Sequence, residues 1–131
     1  VVGGKMSEGI NFANEMARGI VIVGLPYADI TDIVLKTKMD ILDKEEKQKR
    51  AAITGSEYYQ VLCMRNVNQS IGRAIRHAKD YAAIILADVR YESDPRVWRD
   101  LPAWLRPDRK SAGSFDANMR SIKSFFDNVI L

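Results

Sequence analysis

Gly19-Ile20-Val21-Ile22-Val23-Gly24 is a β-branched run bounded by glycine at both ends. It has too little polar alternation for a half-exposed strand, which predicts a strand buried in a parallel sheet. Leu25-Pro26-Tyr27 ends it, because proline has no amide hydrogen to offer a ladder. Ala82-Ala83-Ile84-Ile85-Leu86-Ala87-Asp88 repeats the pattern, a continuous apolar run closed by an acid. Between the two runs the period changes from strand to helix. Thr31 or Asp32 can cap a helix running towards Arg50, with Leu35, Met39 and Leu42 at helical spacing and a solvated charge run from Asp43 to Arg50. Ser56 is a candidate cap for a second helix, Glu57 to about His77, that turns Tyr58, Val61, Leu62 and Met64 inward. Strand, helix and strand thus alternate. The order predicts one three-layer α/β domain over residues 1–131 with a largely parallel sheet, its functional groups gathered at strand ends and helix starts.

The flanks add less. Val1-Val2 reads as the end of a strand, and Gly3-Gly4 as a close backbone turn. Glu92 to Gly113 holds three of the four prolines and both tryptophans, which predicts an irregular segment where Trp98 and Trp104 pack with Leu101 and Leu105, base stacking being the alternative. Ser114 then caps a last amphipathic helix with Phe115, Met119, Ile122, Phe125 and Phe126 inward.

The 131 residues, 47% of them hydrophobic, suit one domain with a real core. A formal charge of +3 is unevenly spread: residues 1 to 64 carry 8 basic and 9 acidic side chains, residues 65 to 131 carry 12 and 8. From Arg65 to Lys79 stand four cations, one histidine and no carboxylate, a distribution that favours a polyanion. The single cysteine, Cys63, rules out a disulfide framework within the chain and reads as a buried apolar group. No apolar run nears the roughly 20 residues that span a bilayer, and the first residues lack a signal peptide's pattern, so a soluble intracellular protein without membrane contact is expected. The opening Val1-Val2-Gly3-Gly4-Lys5, with no methionine, reads as an excerpt of a longer protein.

The basic excess has a definite pattern. In Gln69-Ser70-Ile71-Gly72-Arg73-Ala74-Ile75-Arg76, a helical period puts Gln69, Arg73 and Arg76 on one face, while Met64, Val67, Ile71, Ala74, Ile75 and Ala78 form the opposite one. Two guanidinium groups three residues apart suit a triphosphate tail, because arginine donates several hydrogen bonds without losing its proton as charge gathers on a γ-phosphate. They read as an arginine finger. His77 at the helix end reads as a cation against the helix dipole, with catalysis as the alternative. Asp88 is a strand-end acid that either serves a site or pairs with Arg90 or a helix end. Gly4-Lys5-Met6-Ser7-Glu8-Gly9 lacks the full Gly-xxxx-Gly-Lys-Ser/Thr phosphate loop. Alone it is a strand-ending turn.

Spacing gives these two stretches a joint meaning. Gly-Lys-x-Ser-Glu-Gly-Ile precedes Gln-x-x-Gly-Arg-x-Ile-Arg by some sixty residues, with a buried run after each. That layout resembles motifs V and VI in the second motor lobe of superfamily 2 helicases. With Val-Gly-Leu-Pro-Tyr, Leu-Cys-Met-Arg-Asn-Val-Asn-Gln, Ile-Ile-Leu-Ala-Asp-Val-Arg-Tyr and Leu-Pro-Ala-Trp-Leu, the chain is similar to the XPD-like iron–sulfur DNA helicases, most of all their chromosome-loss, or sister-chromatid cohesion, branch. The similarity covers nearly the whole chain and is weakest from Thr31 to Gly55.

The resemblance implies a partial RecA-like helicase domain 2. It implies that Arg73 and Arg76 reach the γ-phosphate of ATP held by the N-terminal lobe of the same protein, with Gln69 ordering that contact and Gly72 allowing close approach. Glu8, Gly9 and Asn11 would face the nucleotide, and Lys5 and Ser7 the DNA backbone. Asn11 departs from the aspartate common in the wider family, although it fits the cohesion branch; a turn-stabilising role is the alternative. ATP with Mg2+ would be bound mainly by the other lobe, and a 4Fe-4S cluster would lie in that part alone. Single-stranded or forked DNA, 5′ to 3′ movement, cohesion and replication factors, genome maintenance and a nuclear location are further implications of the family. Two other readings stay open: a non-catalytic nucleic-acid-binding α/β module, and a lobe of an RNA-directed superfamily 2 motor.

Overall fold

The computed structural model describes residues 18–75, 77, 80–108, 110 and 113–129. Two strands, β1 (Gly19–Val23) and β2 (Ala83–Ala87), pair in parallel, with Gly19 opposite Ala83 and Val23 opposite Ala87. Parallel neighbours need a long crossover, and here it contains α1 (Ile33–Lys47) and α2 (Gly55–Ile71). Both apolar runs are therefore strands, as their composition predicts.

Helix α2 is the spine of the core. Gln60, Cys63, Met64, Val67 and Ile71 recur at helical spacing and are all buried. They meet Ile22 of β1 and Leu25 just beyond it, with Ile20, Ile84 and Leu86 packed alongside. Thr54, not Ser56, caps the helix: its hydroxyl accepts from Glu57 N at 3.2 Å, and the Glu57 carboxylate accepts from Thr54 N at 2.8 Å. This reciprocal box satisfies two orphan groups at once, so the helix starts before the predicted position. At the far end α2 stops at Ile71 rather than near His77. Gly72, a poor helix former, caps it, and the tighter bonds Arg73 N to Ser70 O (3.2 Å) and Ala74 N to Ile71 O (3.0 Å) close a turn in place of another helical one. Val61, placed inward by the sequence pattern, is 50% exposed.

Asp32 caps α1 by accepting from Leu35 N at 2.8 Å. The helix ends at Lys47, short of Arg50, where Lys49 takes a φ of 56° that breaks the right-handed path. A Cβ on Gly55 would stand 2.5 Å from the Met39 carbonyl oxygen, so only glycine lets α1 and α2 approach this closely. The Gly55 amide also donates to Asp43 at 2.7 Å.

The segment predicted to be irregular is a chain of short helices, α3 (Arg90–Ser93), α4 (Pro95–Asp100) and a 3-10 stretch Ala103–Asp108. Proline is at home at the first position of α4, where its missing amide hydrogen would have had no partner, and Asp94 caps that helix from Arg96 N. Val97 and Leu101 are buried, Trp98 packs on the core, and Trp104 is half exposed.

Helix α5 (Phe115–Val129) buries none of its residues fully. Ser114 Oγ accepts from Ala117 N at 3.2 Å, as a cap should. Phe125 and Phe126 meet Tyr81 edge-on, whereas Phe115 is exposed. The sheet also departs from expectation on one face. Ile20, Ile22, Ile84 and Leu86 look towards the helices, but Val21 and Val23 are exposed. An unbroken apolar run calls for cover on both sides, and the described helices supply it on one.

Candidate phosphate-facing arginine turn

The predicted arginine face is split by the end of α2. Gln69 lies on the last helical turn and is exposed, while Arg73 follows the Gly72 cap and is half-buried. The two are not consecutive positions of one helix face. Instead, Arg73 sits on a turn whose apolar side is fixed by Ile71, fully buried, and Ala74, 3% exposed. A cation here is also favoured by the partial negative charge of the helix C-terminus. That helix end does not itself attract an anion, so affinity for phosphate has to come from the guanidinium. A Cβ on Gly72 would lie 3.3 Å from Asn68 O, tight but not prohibitive.

Arg76, Lys5, Ser7, Glu8, Gly9 and Asn11 lie outside the described residues. His77 is described and is exposed, yet the helix has ended six residues earlier, so the expected cap against its dipole is corrected.

Beyond His77 the chain is tied to the start of β1. Asp80 N donates to His77 O at 2.9 Å. The Asp80 carboxylate accepts from Tyr81 N at 3.1 Å and from Arg18 Nη1 at 2.7 Å, and the same arginine nitrogen donates to Tyr81 O at 3.1 Å. Arg18 and Asp80 escape a reading of motifs. The available signal is positional: each residue lies just ahead of one of two strands that pair in register, so the two are brought together.

At the other end of the strands, Asp88 holds Arg90 in a fork, with Oδ2 to Nη2 at 2.7 Å and Oδ1 to Nε at 2.9 Å. The Arg90 hydrogen bonds pull the Asp88 carboxyl down to about 2. Asp88 is thus paired, and β2 separates it from the arginine turn. Cys63 is buried and its thiol is pushed up to about 11 by desolvation, which makes it a packing group rather than a nucleophile. Among the described residues no three His, Cys, Asp or Glu side chains are grouped where they could hold a metal ion. No described helix is long and apolar enough to cross a membrane.

The parallel strand–helix–strand arrangement agrees with the family match. Residues 1–108 match the helicase C-terminal domain, and the chain belongs to that family. Its form is that of a partial RecA-like α/β domain. The chain is similar to ATP-dependent DNA helicase chl1 of Schizosaccharomyces pombe, 41% identical over 128 residues that cover 96% of this chain and 15% of that protein. ATP-dependent DNA helicase CHL1 of Meyerozyma guilliermondii is 44% identical over 132 residues, covering 96% and 16%. ATP-dependent DNA helicase DDX11 of Danio rerio is 45% identical over 126 residues, covering 96% and 14%. The chain therefore spans only about a sixth of the length of these relatives.

Proposed function

We propose that this chain is the second motor lobe of an ATP-dependent DNA helicase and that the Gln69–Arg76 segment is its transition-state element. The observation that carries this is Arg73, held half-buried between a buried helix end and an anchored exit while Gln69 remains exposed beside it. A positioned guanidinium can stabilise charge that develops during phosphoryl transfer without having to reorganise. Arg76 continues the same segment as a second donor. Lys5 and Ser7 meet the DNA backbone in this reading, and Glu8, Gly9, Asn11 and Gly72 border the nucleotide.

ATP and Mg2+ supply the phosphoryl group and its charge neutralisation from the partner lobe. This chain's residues fit the phosphate side of that site and not the metal side. A 4Fe-4S cluster does not fit here at all: it needs four thiolates, and the chain has one cysteine, which is buried. Movement 5′ to 3′ on single-stranded or forked DNA, a nuclear location, and work with cohesion and replication factors in sister-chromatid cohesion complete the proposal. They rest on similarity to the chromosome-loss branch.

DNA-stimulated ATP turnover of the full-length protein tests it. Arg76→Ala and Arg73→Ala are each expected to cut kcat by about a thousandfold or more, with ATP and single-stranded DNA affinity largely kept. Unchanged turnover with weaker, less salt-dependent DNA binding would instead make the segment a phosphate grip in a binding module.

A further inference from the structure

We infer that Arg18 is a positioning residue for the arginine turn, acting through Asp80 and Tyr81; this rests on the reading of Arg73 as a phosphate contact. The side chain of Asp80 is only 5% exposed, and Arg18 Nη1 stands 2.7 Å from its carboxylate. A carboxylate buried to that degree needs a partner to remain charged. Arg18 does more than neutralise it. Its guanidinium carbon lies 4.0 Å from the centroid of the Tyr81 ring, and its Nη1 also donates to the Tyr81 carbonyl at 3.1 Å. The Arg18 carbonyl in turn accepts from Ala83 N at 2.9 Å, extending the strand ladder by one bond. One side chain therefore joins the start of β1 to the segment leaving the arginine turn.

The turn is consequently held from both sides. Upstream, Ile71 and Ala74 are seated in the core; downstream, Asp80 N grips the His77 carbonyl while its carboxylate is clamped by Arg18. Tyr81 passes the restraint on to α5, since Phe125 and Phe126 each stand edge-on to it at 6.4 Å. Without the guanidinium, the tie from the start of β1 to the Asp80 carboxylate and the Tyr81 carbonyl is lost. The segment leaving the arginine turn is then less firmly held, and with it the placement of Arg73. Lysine can answer the charge of Asp80 but cannot also lie flat on the tyrosine ring while donating to the carbonyl. It is expected to restore only part of the effect.

The test uses the full-length protein and reads kcat and KM for ATP in DNA-stimulated turnover, with single-stranded DNA affinity and melting temperature measured beside them. Arg18→Gln is expected to lower kcat about tenfold, less than the roughly hundredfold that a full 1 Å misplacement at a reacting centre can cost, because the turn keeps its upstream seat. KM and DNA affinity are expected to stay near wild type, and Arg18→Lys to fall between the two. Arg96→Gln, which removes an exposed pair with Asp94, is the control expected to match wild type. In an Arg73→Lys background, Arg18→Gln is expected to add little further loss, since both act on one contact. Wild-type kcat in Arg18→Gln, or an equal fold-loss in both backgrounds, would overturn the inference. Wild-type kcat in Arg73→Ala would instead overturn the motor reading beneath it. If Arg18→Gln does not fold, Arg18→Lys, which keeps the charge opposite Asp80, carries the same comparison.

Discussion

Asp88 and Arg90 lie two residues apart and form a two-pronged pair, while the Arg90 guanidinium sits 5.9 Å from the Tyr27 ring. Next to them Gly24 takes a φ of +75°, a conformation that glycine adopts without strain, and its carbonyl accepts from Tyr91 Oη at 3.1 Å. The turn after β1 is thereby bound to the turn after β2. Because the Asp88 carboxyl is held at about 2, below the roughly 3.9 of an unfolded chain, folding favours its ionised form. The stabilisation is complete above about pH 4 and is lost as pH falls through about 2. Asp88→Asn is therefore expected to melt lower than wild type near neutral pH, with the gap closing across that acid window; thermal melts over the range check it, and a gap that persists at the acid end would place the effect elsewhere. Asp88 was legible as a strand-end acid with Arg90 as its nearest candidate partner. Arg18 with Asp80 was not, because 62 residues separate them and neither belongs to a local pattern.

Strand and helix periods were readable, and their faces only in part. In β1, Ile22 is 2% exposed and Val23 is 81% exposed, although a continuous apolar run makes them look alike. Ile22→Thr is expected to destabilise the chain by about 2–3 kcal/mol, through lost packing and a buried hydroxyl. Val23→Thr should stay within about 0.5 kcal/mol. Chemical denaturation of the two variants measures the difference; equal costs would mean that the outer face is covered as well. The helix boundaries show what local reading misses. Thr54-Gly55-Ser56-Glu57 carries the capping-box spacing, although Ser56 stands closer to the apolar stretch. At the other end, Gly72 is a stop signal inside an apparently periodic segment, obscured because Ala74, Ile75 and Ala78 continue the apolar spacing beyond it.

At the scale of the molecule, the chain has an arginine-bearing turn to offer a phosphate, but neither a complete phosphate loop nor a described cluster of metal ligands. The 131-residue chain alone is accordingly expected to turn over ATP no faster than buffer does, with or without single-stranded DNA, in a phosphate-release assay; turnover above background that Arg73→Ala abolishes would show a self-sufficient site. The sequence by itself determined the α/β class, the two strands, the helical crossover between them and the basic segment at its end. Those features follow from the periods of strand and helix and from a charge count, all properties of neighbouring residues. Only the tertiary structure decided which sheet face α2 covers and that Arg18 reaches Asp80 beside the arginine turn. Those outcomes depend on the parallel register of β1 and β2, which brings distant residues together through backbone bonds that every residue can make and that no side-chain pattern announces.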